Sequence, residues 1–237
     1  MKIIFAPSKE MDLSRGEKTS TSFSKNTEKI ISSLKTLDDT ELKKLYKVSD
    51  KVLEEIKAYI ENFDKDLSFK ALNMYKGLAY KYLNKEDLKE EAINYLNDHL
   101  LILSAFYGPI SPETYIKPYR LDFNTPIKVN GKTLKNLWKD DYNKNFKEGE
   151  IILNLASNEF SSLIDRKKFI FYDFEFYEDK DGILKSHSTT SKKARGLMVR
   201  YLASERIEDI EAIKSFNIDS YKYREDLSEE FKFVFVK

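Results

Sequence analysis

"KEDLKEEAINYLNDHLLILSAFYGP", residues 85–109, joins a charged, helix-patterned segment directly to an apolar one. From Lys85 to His99, Leu88, Ala92, Tyr95 and Leu96 recur at spacings of three and four, the pattern of a helix with one buried side. Leu100–Phe106 is apolar nearly throughout and stops at Tyr107, Gly108 and Pro109, which reads as a buried strand. A helix running straight into a buried strand points to a sheet covered by helices.

The same two patterns recur outward from this point. "KIIFA" (2–6), ending at Pro7, and "EIILNLA" (150–156) read as further buried strands. "KFIFYDFEFYEDKDGILKSHS" (168–188) reads as a hairpin about Asp181-Gly182, and "FKFVFVK" (231–237) as a terminal strand. Helical spacing covers "TEKIISSLKTL" (27–37), "DDTELKKLY" (38–46), "SDKVLEEIKAYIENF" (49–63), "KTLKNLWKDDYNKNF" (132–146), "TTSKKARGLMVRYL" (189–202) and "IEDIEAIKSF" (207–216). "ALNMYKGLAYKYLN" (71–84) fits either a strand turning at Gly77 or a helix broken there. "MDLSRGEKTSTSFS" (11–24) reads as a polar loop. A second loop (107–123) holds Pro109, Pro112 and Pro118, three of the five prolines, and is expected to be ordered. There is no internal repeat, low-complexity tract or linker. The expected fold is a mixed α/β (α+β) single domain spanning 1–237: a central mixed sheet with surrounding helices, and a helical hairpin insertion around 38–63.

Composition excludes several functional classes. The 237 residues carry 41 basic and 40 acidic side chains, a net charge of +1, so any anion site must come from local clustering. With no cysteine, thiol catalysis, disulfides and thiolate metal sites are ruled out. His99 and His187 are the only histidines, so a histidine-rich metal site is not expected, although carboxylates could hold a hard cation. Neither a metal nor a cofactor is expected. No apolar run reaches membrane-spanning length, and the N-terminus lacks a signal-peptide core, so a cytoplasmic protein is expected.

Candidate site residues cluster at strand ends and on one helix. In Thr189–Leu202, Ala194, Leu197, Met198, Tyr201 and Leu202 form a core stripe. The polar side carries Lys192, Lys193, Arg195 and Arg200, with Gly196 between them. Cations in a first turn oppose the helix dipole by roughly 0.3–1 kcal/mol each. A mid-helix glycine costs roughly 0.8–1 kcal/mol. An anion docked at this end, using the absent side chain of Gly196, would offset the first cost. A solvated basic face, neutralised by Asp173 or Glu175, is the plainer alternative.

Ser8 and Lys9 follow the first strand, where ligand crevices form in helix-covered sheets. Arg120 sits with Lys117 and Tyr119 in the proline loop and suits bidentate recognition of phosphate or carboxylate, or an ion pair with Asp122. Asn154, Ser157, Asn158 and Glu159 occupy a strand-to-helix junction, where capping by Ser157 explains much of the pattern. Tyr75-Lys76-Gly77 is a lysine-glycine turn. Leu42–Ile60 has the outline of a helix-hairpin-helix, without the usual glycines, and an ordinary helical hairpin explains it as well.

Six motifs then occur in order along the chain: "PSKEMD", "LSAFYGPISPETYIKPYRLDF", "LWKDDYN", "ILNLASNEF", "KKARGLMVRYL" and "FNIDSYKY". Together they resemble the YaaA family of bacterial peroxide-stress proteins. Pro7-Ser8-Lys9 stands where the family usually has proline-alanine-lysine. Thr189 and Thr190 stand where it often has an aromatic. The resemblance implies a cytoplasmic protein with a basic cleft and a helix-hairpin-helix-like element. It further implies binding of duplex or single-stranded DNA and a role in limiting iron-dependent oxidative damage. Matching positions give Lys9, Lys76, Arg120, Lys192, Lys193, Arg195 and Arg200 as DNA- or phosphate-binding candidates. Ser8, Tyr119, Asn154, Ser157 and Gly196 are supporting residues of the cleft. A binding protein is expected rather than an enzyme. The competing reading is an enzyme acting on a small phosphorylated or carboxylated substrate in the same cleft, and a third is a scaffold without a ligand.

Overall fold

A computed structural model describes all residues, 1–237. In chain order the first half contains β1 (Lys2–Phe5), α1 (Lys25–Lys35), α2 (Asp39–Tyr46), α3 (Asp50–Glu61), β2 (Phe69–Lys70), α4 (Ala71–Met74), α5 (Leu78–Leu83) and α6 (Glu90–His99). There follow β3 (Leu100–Ser104), β4 (Gly108–Ile110), β5 (Tyr115–Ile116), β6 (Lys128–Val129), β7 (Lys132–Thr133), α7 (Leu134–Asn143), β8 (Ile151–Leu155) and α8 (Asn158–Ser161). The chain ends with β9 (Ile170–Lys180), β10 (Ile183–Lys185), α9 (Ser188–Glu205), α10 (Ile210–Ile213), β11 (Lys222–Tyr223) and β12 (Lys232–Val236).

The main sheet has eight strands in the order β11-β12-β9-β8-β1-β3-β4, with β10 paired to β9. β12, β9, β8, β1 and β3 run parallel, and β4, β10 and β11 are antiparallel additions. The sheet is therefore mixed, and the chain forms one mixed α/β domain. Successive residues Ile3, Ile4 and Phe5 are 0%, 0% and 1% exposed, so both faces of β1 are covered. That is why the central strands β1, β3 and β8 are apolar runs, whereas β9, less fully covered, alternates apolar with polar residues.

The connections fix where a ligand crevice opens. From β1 the chain passes to β3 on one side; β8, on the other side of β1, leads away to β9. Adjacent strands whose connections leave in opposite directions leave a gap at their carboxyl ends. In this fold that gap lies beyond Phe5 and Leu155.

The segment 71–84 is a broken helix. α4 ends at Met74, Tyr75 bridges Met11 in extended conformation, and Gly77 is the N-cap of α5. The helical hairpin at α2–α3 turns on Lys47, which adopts left-handed φ 51°, ψ 48° as the C-cap of α2. Asp38 and Glu41 close a capping box at its start.

α9 is buried on more sides than its core stripe alone requires. Besides Ala194, Leu197, Met198 and Leu202, a second buried line of Gly196, Val199 and Ala203 runs at spacings of three and four. The helix packs against α5. A Cβ built on Gly196 would lie 2.1 Å from the Ala79 carbonyl oxygen and 3.1 Å from the Leu83 amide nitrogen. The glycine is thus explained by helix–helix contact with α5, and its missing side chain leaves no room for an anion.

Candidate functional site

A cavity of about 590 Å³ opens at the carboxyl ends of β1 and β8. Four segments build it together with the start of α5, Gly77–Tyr80. The first is the chain after β1, Ala6–Glu10, which is tied to the start of α5. Ser8 Oγ accepts the Gly77 amide at 2.9 Å and the Glu10 amide at 3.1 Å. The Tyr80 hydroxyl donates to the Ala6 carbonyl at 2.9 Å. A Cβ at Gly77 would fall 2.1 Å from Ser8 Oγ, so the contact requires glycine. The second segment is the beginning of α9, which presents Thr189, Lys192 and Arg195 to the cavity from successive turns. The third is Arg120–Asp122 of the proline loop, and the fourth is the β8–α8 junction with Ser157, Glu159 and Phe160.

Charges in the cavity are unevenly paired. Lys9 Nζ lies 2.5 Å from Asp122 Oδ2. Asp122 pairs with Lys9 and not with Arg120. Neither Arg120, Lys192 nor Arg195 pairs with an acid, although all three line the cavity. Arg195 is partly buried, and its Nε is out of solvent without a hydrogen-bond partner. Burial pulls its guanidinium below its ordinary pKa, the mark of a cation held without compensation.

The two carboxyls diverge. Burial pushes Asp122 up, but the Lys9 ammonium, Thr125 and the Asn124 amide outweigh it and hold the group below the usual range. Burial and the neighbouring Asp122 charge raise Glu159, only partly offset by the Phe123 amide donating to Oε1 at 2.9 Å.

The cavity thus brings together Ser8, Lys9, Arg120, Ser157, Lys192 and Arg195 from distant parts of the sequence. The other residues singled out from sequence are engaged outside it. Lys193 Nζ binds Asp219 at 3.0 Å and lies 4.9 Å from the Tyr82 ring centre. Arg200 Nη1 donates to the Leu83 and Asn84 carbonyls at 3.2 and 2.7 Å, closing the end of α5. Tyr119 is buried, with its hydroxyl bonded to Tyr75 and Ser104. Asn154 donates to Asp173 at 2.7 Å, and exposed Lys76 faces Asp12 at 3.8 Å. Gly196 lies in the α5–α9 seam. Ser157 occupies the N-cap position of α8 without a capping bond from its side chain, contrary to the capping expected from sequence. Asp173 pairs with Arg166 rather than with the basic helix, and the neutralised alternative holds only for Lys193, whose partner is Asp219.

Sequence reasoning left Asp122 and Glu159 without a role of their own in the site. The signal was their placement beside Arg120 and Ser157, at the same strand-end crevice. Arg200→Ala is expected to lower stability by about 1–3 kcal/mol, since two partly buried carbonyls lose a charged donor. It should leave anion binding unchanged; urea denaturation and a DNA titration of the same variant check both halves.

No three His, Asp or Glu side chains converge to hold a metal ion. No helix is long and apolar enough to cross a membrane.

A family profile described as "Peroxide stress protein YaaA" matches residues 1–227. The chain belongs to the YaaA family of peroxide stress proteins. Membership supports a role in peroxide stress. The chain is also similar to a UPF0246 protein of Fusobacterium nucleatum, 38% identical over 247 residues and spanning 100% of this chain and 99% of that protein. A UPF0246 protein of Streptococcus gordonii is 36% identical over 242 residues, with 100% and 98% covered. One from Francisella philomiragia is 36% identical over 247 residues, with 97% of each chain covered. The similarity to these UPF0246 proteins therefore takes in the cavity, α9 and the helical hairpin together.

Proposed function

We propose that the protein acts in peroxide stress by binding DNA through this cavity and its rim, and so helps limit iron-dependent oxidative damage. The observation that carries the reading is the convergence of Arg120, Lys192 and Arg195, three cations without acid partners, on one strand-end crevice. Guanidinium groups pair bidentately with phosphate, and a desolvated one gains most from doing so. The first turn of α9 adds amides whose partial positive charge favours the same anion. The α2–α3 hairpin stands close by: Tyr46 and Tyr59 line a crevice shared with Arg120.

One phosphate seated in the cavity gives an expected slope of about −0.7 in log Kobs against log salt on single-stranded DNA, and each further phosphate held at the rim adds about as much again. Fluorescence anisotropy from low to physiological salt measures it. Absence of binding to both duplex and single-stranded DNA at low salt overturns the reading.

One observation favours a second reading, an enzyme acting on a small phosphorylated or carboxylated substrate. The cavity has the volume of a small-molecule site and carries two carboxyls with diverging proton affinities. A nucleotide bound stoichiometrically that DNA fails to displace would decide for it.

A further inference from the structure

We infer that the cavity takes one nucleoside monophosphate unit, with Arg195 and Lys192 on the phosphate and Glu159 accepting a hydrogen bond from a sugar hydroxyl or a base amino group. The inference rests on the phosphate reading above and specifies what accompanies the phosphate.

Size is the first argument. At about 590 Å³ the cavity lies within the range of small-molecule sites, roughly 300–1,000 Å³. A duplex is far too wide to enter, and a bare phosphate would leave most of the volume empty. A single nucleotide unit matches the space.

Glu159 is the second. Four cationic side chains line the same cavity, yet Glu159 forms an ion pair with none of them. Its Oε1 accepts from the Phe123 amide at 2.9 Å and the Asn124 amide lies beside the same carboxyl, which fixes the group in place at the cavity wall. A carboxylate is an acceptor and repels a second anion. Its presence beside an anion site therefore calls for a ligand that carries a donor a short distance from its charge. A sugar hydroxyl next to a phosphate has that character, and so does a base amino group.

Ser8 is the third. Both Oγ lone pairs are occupied by the Gly77 and Glu10 amides, so the hydroxyl can act only as a donor. That makes it a poor nucleophile and a suitable partner for a phosphate oxygen. Leu155 and Phe160 supply an apolar wall for the remaining body of the ligand.

The shared chemistry can come from a free nucleotide or from the phosphorylated end of a strand. Calorimetric titration of the intact protein at fixed ionic strength, with inorganic phosphate, adenosine 5′-monophosphate and a short single-stranded oligonucleotide, separates these. The monophosphate is expected to bind about tenfold or more tightly than inorganic phosphate, as one hydrogen bond to a charged acceptor predicts. In Glu159→Gln the amide oxygen can keep the Phe123 bond while the amino group faces the ligand. That variant should retain phosphate binding and lose the preference.

A 5′-phosphorylated oligonucleotide that displaces the monophosphate, where its 5′-hydroxyl counterpart does not, assigns the strand end. Failure of both to displace it assigns the free nucleotide. A monophosphate that binds no better than phosphate, or a preference intact in Glu159→Gln, overturns the inference. DNA binding with the expected salt slope would survive that result. Loss of DNA binding alongside a tight monophosphate would instead sink the DNA reading alone.

Discussion

Gly196→Ala is expected to destabilise the protein by about 1–3 kcal/mol, the range for forcing an added carbon into a packed contact. Helix propensity alone predicts the opposite sign, since alanine is favoured over glycine by about 0.8–1 kcal/mol in a helix interior. The clash decides. The new carbon would sit 2.1 Å from the Ala79 carbonyl oxygen and 3.0 Å from its carbon, and both are backbone atoms with no rotamer in which to retreat. α5 must then move away from α9, and Gly77 and Ala79 at its start line the cavity. The shift in urea midpoint measures the cost. A variant more stable than the parent would mean that the seam is looser than the geometry requires.

Arg195→Met is expected to move stability and binding in opposite directions. Its guanidinium is partly desolvated, has no acid partner and keeps Nε buried without a hydrogen bond. Removing such a group while filling its volume should stabilise the fold by about 0.5–2 kcal/mol. The same change deletes a charge-assisted contact worth about 1.5–3 kcal/mol, so affinity for DNA should fall roughly tenfold to a hundredfold. Thermal denaturation and anisotropy on one preparation test the pair. A loss of stability would show that Arg195 is a structural residue, and unchanged affinity would remove it from the site.

Much of the fold was legible because the central parallel strands β1, β3 and β8 are largely buried on both faces. Ile3–Phe5, Leu100–Ser104 and Ile151–Leu155 are apolar runs for that reason, and their boundaries follow from proline, glycine and polar punctuation. The break at Tyr75–Gly77 was ambiguous because the Ser8 hydroxyl that holds the Gly77 amide lies 69 residues away. The site was legible in kind but not in membership. Helical periodicity put Lys192, Lys193, Arg195 and Arg200 on one polar side, yet Lys193 and Arg200 close contacts with Asp219 and α5, while Lys192 and Arg195 turn to the cavity. What sorts the four cations is the position of α5 against α9, and that depends on Gly196 meeting Ala79 from a distant part of the chain. Local pattern carries no trace of such a meeting.

The Lys9–Asp122 pair gives the cavity a counter-ion of its own. An entering anion meets three unpaired cations and one that is already satisfied. A weakly basic monovalent ion such as chloride has little with which to draw Lys9 away from a carboxylate at 2.5 Å. A phosphate, with several oxygens and more charge, can engage Arg120, Lys192 and Arg195 and still share Lys9 with Asp122. The pair therefore withholds Lys9 from a singly charged ion and lets its ammonium be shared only by a ligand with several charged oxygens.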